Sequence, residues 1–139
     1  MPYMEPIYNI LEKNHGKVIY FDFWARWCPP CLAEMEPLKQ LRSKYSTKDL
    51  VIYSICVSEP KEEWEECLNE YSLKNRGIEC IYASDYFGKD NLQKIRKQWK
   101  IDRMPYYLLL NRKGQIVDFG TTARPSNPQF ISRIEEALK

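Results

Sequence analysis

Phe21-Asp22-Phe23-Trp24-Ala25-Arg26-Trp27-Cys28-Pro29-Pro30-Cys31-Leu32-Ala33-Glu34-Met35 changes character at its middle. Its first part continues from Val18 as a run that is apolar on both faces and rich in β-formers, which predicts a central strand over residues 18–24. From Pro29 to about Tyr45, Leu32, Met35, Leu38 and Leu41 recur every third residue among Glu, Lys, Gln and Arg, the spacing of an amphipathic helix. Val51 to Val57 then repeats the buried-strand pattern. The stretch therefore reads as the opening of a β-α-β unit with a Cys-x-x-Cys where the helix begins.

Outward from this unit, Glu62 to Asn75 forms a second helical pattern with Trp64, Cys67, Leu68 and Tyr71 on one side and Gly77 as its stop. A short strand is expected over 78–83 and a third helix over 91–100, with Leu92, Ile95 and Trp99 inward. Tyr106 to Leu110 and Gln115 to Phe119 are strands joined by the Asn111-Arg112-Lys113-Gly114 turn. Ser126 or Asn127 caps a last helix that turns Phe130, Ile131, Ile134 and Leu138 inward. Tyr8 to Leu11 predicts a short lead-in helix within residues 1–15. No repeat or linker interrupts the pattern, so a single α/β layered domain spanning 1–139 is expected.

Composition narrows the function. Twenty-one Lys and Arg against nineteen Asp and Glu leave a net charge of +2, too little field to hold a polyanion, so no nucleic acid partner is expected. Neither a basic-then-apolar leader nor a run of about 18 apolar residues occurs, so no export signal, membrane span or membrane contact is predicted for the chain itself. Five cysteines are too few, and odd in number, for a disulfide-dense scaffold, and each must be read separately.

Disulfide exchange proceeds through a thiolate, which is favoured at a helix N-terminus by unpaired N–H groups and the helix dipole. Cys28 stands there, and Cys31, one turn further in, can attack a mixed disulfide on Cys28. We therefore expect Cys28 to attack and Cys31 to resolve. Pro29 falls near the first helical position, where its missing N–H costs nothing, and Pro30 restrains the loop further. The same spacing serves as half of a zinc site, but zinc needs two more ligands, and His15, Cys56, Cys67 and Cys80 are scattered with no second Cys-x-x-Cys. The setting favours redox chemistry, with no metal and no cofactor beyond the Cys28/Cys31 pair.

Together, the segment 21–35, Arg103-Met104-Pro105 and the Asn111-Arg112-Lys113-Gly114-Gln115-Ile116 hairpin resemble the TlpA/ResA-like branch of the thioredoxin superfamily over residues 16–139. The resemblance implies a thioredoxin-like fold, a central mixed sheet flanked by helices, with a helix-strand insertion at about 60–83 before the cis-proline strand. It implies a cis bond before Pro105, where sequence alone gives about a 5% chance. It also implies that Met104 offers a backbone edge to an extended substrate. The branch's usual N-terminal strands are reduced here to the lead-in helix, which suggests a trimmed domain or a piece of a longer protein.

Several residues should support the pair. Asp22 interrupts an apolar strand, and a carboxylate buried without a partner should raise its pKa, which makes it a candidate proton carrier. Its placement resembles that of the buried acid of thioredoxins, although no lysine lies in Tyr53 to Val57 to accompany it. Glu34 matches the active-site glutamate of ResA-like proteins, which implies influence on cysteine ionisation; an ordinary solvated first-turn glutamate is the alternative. Trp27 should be exposed and shape the docking surface together with Pro29, Pro30, Met104 and Pro105, while Trp24 belongs to the core. Cys56 reads as a core residue and His15 as a turn residue. Cys67 and Cys80 could pair only if the fold brings them close.

The expected function is thiol-disulfide oxidoreductase, an enzyme reducing disulfides in protein substrates and recharged by an upstream thiol donor. The alternatives are a disulfide oxidase or isomerase, since direction depends on potential, and, from another class, a metal-binding or redox-inactive protein-interaction module. The chain is expected to act as a monomer. The resemblance places it outside the cytoplasm, extracytoplasmic or periplasmic, as part of a longer exported protein.

Overall fold

A computed structural model describes all of residues 1–139. After a 3-10 turn at Pro2–Met4, the elements run α1 (Glu5–Lys13), β1 (Val18–Trp24), α2 (Pro29–Ala33), α3 (Met35–Lys44), β2 (Leu50–Cys56), α4 (Lys61–Glu70), β3 (Ile78–Tyr82), α5 (Ala83–Phe87), α6 (Lys89–Gln98), β4 (Tyr106–Leu110), β5 (Ile116–Gly120) and α7 (Pro128–Leu138). The five strands form one sheet in the order β3-β2-β1-β4-β5. The β1–β2 and β2–β3 pairs are parallel and the β1–β4 and β4–β5 pairs antiparallel, so the sheet is mixed, as expected.

β1 lies at the centre and is buried along its whole length. Because side chains alternate along a strand, Ile19, Phe21 and Phe23 enter a core shared with Ile7 and Ile10 of α1 and Leu92 and Ile95 of α6. Val18 and Tyr20 enter the opposite core, with Leu38 and Leu41 of α3 and Phe130 and Ile134 of α7. Asp22 has the parity of Tyr20, which sets it on the α3/α7 side. A third cluster at the end of β1 gathers Trp24, Cys28, Cys31, Met35, Cys56, Cys67, Leu68 and Leu73.

The first helix departs from its single predicted span. α2 ends at Ala33 and α3 begins at Met35, with Glu34 at the joint. Pro37 is the cause: it has no N–H to give the Ala33 carbonyl, and its ring crowds that carbonyl. Glu34 donates its own N–H to the Cys31 carbonyl and receives the N–H of Leu38, so the ladder resumes one turn later. Leu32, expected inward, is only half-buried, whereas Arg42 of the polar set is buried and donates to the Leu50 and Tyr45 carbonyls at 2.7 and 2.8 Å.

α4 also ends early, at Glu70 rather than Asn75, and Gly77 is not its stop. Ser72 adopts φ 54°, with its N–H on the Asn69 carbonyl and the Leu73 N–H on the Leu68 carbonyl, while Leu73 and Leu68 pack together. This is a Schellman closure made by a serine in the left-handed region. Ser72→Gly is therefore expected to stabilise the protein by about 0.5–1 kcal/mol, the relief of left-handed strain exceeding the added freedom of the unfolded chain. Urea unfolding of the variant reads the gain directly. The predicted hairpin is present: the Asn111 side chain accepts the N–H groups of Lys113 and Gln115, both at 3.0 Å, and Gly114 takes φ 77°. Asn127, not Ser126, caps α7 through the Gln129 N–H at 3.1 Å. No helix is long and apolar enough to cross a membrane.

Candidate active site

Cys28 is the extended N-cap residue of α2, with Pro29 and Pro30 in the first turn. Cys31 follows inside that turn, and the two sulfurs form a disulfide with Cα atoms 5.3 Å apart. The Cys31 N–H points at Cys28 Sγ at 3.3 Å, the arrangement by which a helix start favours negative charge on its capping atom. Both cysteines are nearly covered, Cys28 at 3% exposure, so position in the turn, rather than exposure, distinguishes them.

Around the covered sulfurs runs an exposed rim. Trp27 is 69% exposed and Pro29 and Pro30 are exposed beside it, while Trp24 lies in the core with its Nε1–H on Ser54 Oγ at 2.9 Å. The Met104-Pro105 peptide is cis, as is Glu59-Pro60. Met104 packs against the cysteine cluster, and neither its N–H nor its carbonyl takes part in a backbone hydrogen bond.

Asp22 is 3% exposed and pairs in register with Ser54 and Tyr107. Burial, and then the neighbouring Glu34 carboxylate, pushes its pKa up to about 8. The Tyr107 hydroxyl is buried without a hydrogen-bond partner, and burial with the nearby Asp22 and Glu34 raises its pKa far above the usual phenol value.

Glu34 is no solvated first-turn residue: only 9% of it is exposed. Its carboxylate accepts the Ser126 N–H at 2.9 Å and the Ser126 hydroxyl at 2.6 Å, with Arg124 Nε 3.9 Å away. Ser126, read from sequence only as a possible cap, and Arg124, not singled out at all, are the residues that sequence reasoning missed. They stand some ninety positions from Glu34, and no local pattern could have joined them.

The remaining cysteines stay free thiols. Cys67 and Cys80 are unpaired, and burial raises the pKa of Cys56, Cys67 and Cys80, that of Cys80 to about 11, which keeps all three protonated and unreactive. His15 is exposed in the turn before β1. No three His, Cys, Asp or Glu side chains converge on a point where a metal ion could sit.

Residues 8–138 match the Redoxin family. The chain belongs to that family. Within it, this Redoxin domain is 33% identical over 127 residues to the thiol-disulfide oxidoreductase ResA of Geobacillus thermodenitrificans, covering 90% of the chain and 67% of that protein. ResA of Bacillus anthracis is 27% identical over 108 residues, and the match spans 57% of that relative's length and 78% of this chain. Among solved structures, a candidate thiol-disulfide oxidoreductase from Bacteroides vulgatus superposes with a TM-score of 0.67 at 34% identity, covering 92% of this chain and 78% of that one. A candidate thiol:disulfide interchange protein DsbE from Chlorobium tepidum gives a TM-score of 0.74 at 22% identity, over 93% of this chain and 85% of that one, a likeness of fold. The ResA-like resemblance read from the active-site stretch thus holds, and so does the thioredoxin-like fold.

Proposed function

We propose that this Redoxin domain is a thiol-disulfide oxidoreductase that reduces disulfides in protein substrates. The observation that carries the reading is the Cys28–Cys31 disulfide at the capped start of α2, beside exposed Trp27, Pro29 and Pro30 and in one cluster with Met104, whose backbone is unpaired. In the reduced state the Cys28 thiolate attacks one sulfur of the substrate disulfide, and the other substrate sulfur leaves and takes a proton. Cys31, after giving up its own proton, then attacks Cys28 Sγ. The Cys28–Cys31 bond forms, the second substrate thiol departs, and two electrons have passed to the substrate. An upstream thiol donor returns them by the reverse sequence.

The other residues have separable tasks. Asp22 accepts and returns the Cys31 proton, for which a buried acid titrating near 8 suits neutral pH. Glu34 tunes that acid by its charge. Trp27, Pro29 and Pro30 make the apolar docking rim, and Met104, held by Pro105, offers its free N–H and carbonyl to an extended substrate segment. The cycle uses no metal and no cofactor besides the cysteine pair, and it needs one copy of the chain. We assign the domain to an extracytoplasmic compartment on its ResA-like resemblance, as part of a longer protein. Insulin reduction driven by dithiothreitol tests the reading: wild-type protein should accelerate it and Cys28→Ser should not. Equal rates for the two would overturn the mechanism, and equilibration of the pair with glutathione fixes the direction.

A further inference from the structure

The loop between β5 and α7 reaches the active site through Ser126, with Arg124 of the same loop 3.9 Å from Glu34. Its Ala123 carbonyl accepts the Tyr20 hydroxyl at 2.7 Å, and its Thr122 carbonyl accepts the Asn127 side chain at 2.7 Å, which ties the loop's two arms together. Tyr20 shares its face of β1 with Asp22. Three residues beyond Ala123, Ser126 reaches the Glu34 carboxylate with both its N–H and its hydroxyl. Glu34 can turn inward to meet it because the helix is interrupted at that residue.

We propose that Ser126 is a positioning residue, a latch that holds the Glu34 carboxylate inward beside Asp22 and so couples the β5–α7 loop to the proton chemistry of the redox pair. A carboxylate this covered stays inside only while donors replace its lost water. Ser126 supplies two such donors, and the only cation near is Arg124, itself exposed and 3.9 Å away. With the hydroxyl removed, one N–H remains, and the side chain gains by swinging into solvent. Asp22 then loses the negative neighbour that helps it keep its proton. The other groups around Asp22 do not replace that charge: Tyr20 and Tyr107 are neutral phenols and Cys56 and Cys80 neutral thiols, each with its pKa raised by burial, and Arg124, which lowers the Tyr107 pKa, is a cation.

The inference rests on the reading of Asp22 as the proton carrier of the cysteine pair, but its test does not require turnover. In oxidised protein, the Asp22 carboxyl carbon is titrated by NMR in wild type, Ser126→Ala, Ser126→Thr, Glu34→Gln and the Ser126→Ala/Glu34→Gln double variant. Ser126 is exposed, so alanine there removes no core packing. Ser126→Ala should lower the Asp22 midpoint by about half a pH unit or more, in the direction of Glu34→Gln. Ser126→Thr should restore the wild-type midpoint. The double variant should titrate as Glu34→Gln alone, because a latch with nothing to hold has no further effect. An unmoved midpoint in Ser126→Ala, a threonine variant that behaves like alanine, or an equal shift on top of Glu34→Gln would each overturn the proposal. Loss of insulin reduction by the wild type would instead sink the proposed function, and the titration would still judge Ser126.

Discussion

Serine in place of Cys31 is expected to turn the protein from a catalyst into a trap that stays covalently joined to its substrates through Cys28. The first attack needs only the Cys28 thiolate at the start of α2, which the variant keeps. The second needs a thiol within reach of Cys28 Sγ, and Cys31, its Cα 5.3 Å from that of Cys28, supplies it. No other cysteine can take over: Cys56, Cys67 and Cys80 are covered by the core to differing degrees, and burial raises their pKa values, so that almost none of the nucleophilic thiolate is present at neutral pH. Resolution then depends on dissolved thiol at millimolar concentration. A well-oriented intramolecular group acts at an effective concentration of roughly 10⁵ M or more, so turnover should fall by at least about a thousandfold. Non-reducing electrophoresis of Cys31→Ser after mixing with oxidised insulin should show a mixed disulfide that dithiothreitol releases. Cys28→Ser should form none. Adducts formed equally by Cys28→Ser, or unimpaired turnover by Cys31→Ser, would refute the assignment of roles.

The parts of this fold that could be read in advance are those fixed by short-range periodicity. β1, β2 and β4 are continuous apolar runs because both faces of the sheet are covered there, and their limits lie within a residue of expectation. The Cys-x-x-Cys was legible because strand, prolines and helix start adjoin it in sequence. Helix ends were less so. The regular spacing of Leu32, Met35, Leu38 and Leu41 runs straight across the break at Glu34, which is decided by Pro37 acting on a carbonyl four residues back. Likewise Ser72 closes α4 in a conformation more often given to glycine, and the short α5 carries too few residues for any period to show.

The burial of Glu34 was hidden for a different reason. A glutamate in the first turns of a helix is ordinarily solvated, whereas this one is covered and hydrogen-bonded by a serine 92 positions away. Asp22, by contrast, was visible as a lone acid in a run of Val, Ile, Tyr, Phe and Trp. Asp22 and Glu34 were thus each readable as candidates, while the Ser126 contact to Glu34 was not.

Asp22 carries the second large effect, and it appears in stability. Its pKa is raised from the ordinary 3.8 in the unfolded chain to about 8 in the fold. Between those two values the native state binds a proton that the unfolded state has lost, so stability must fall as pH rises from about 4 to about 8 and then level off. Every tenfold gain in proton affinity on folding is worth about 1.4 kcal/mol, which makes about 6 kcal/mol the upper bound, and relaxation around the ionised group should reduce this to a few kcal/mol. Asp22→Asn keeps the shape and the neutral form at every pH. It should match the wild type near pH 4, where folding leaves Asp22 protonated at little cost, and exceed it by about 2–4 kcal/mol at pH 9. Urea unfolding of the oxidised proteins at pH 4, 7 and 9 measures the difference, and a wild type as stable at pH 9 as its asparagine variant would show that Asp22 ionises without cost. The same substitution should slow the resolving step, since asparagine cannot take the Cys31 proton. The proposed exchange with Cys31 gives a reason for an acid that weakens the fold at neutral pH, where the packing of β1 gives none.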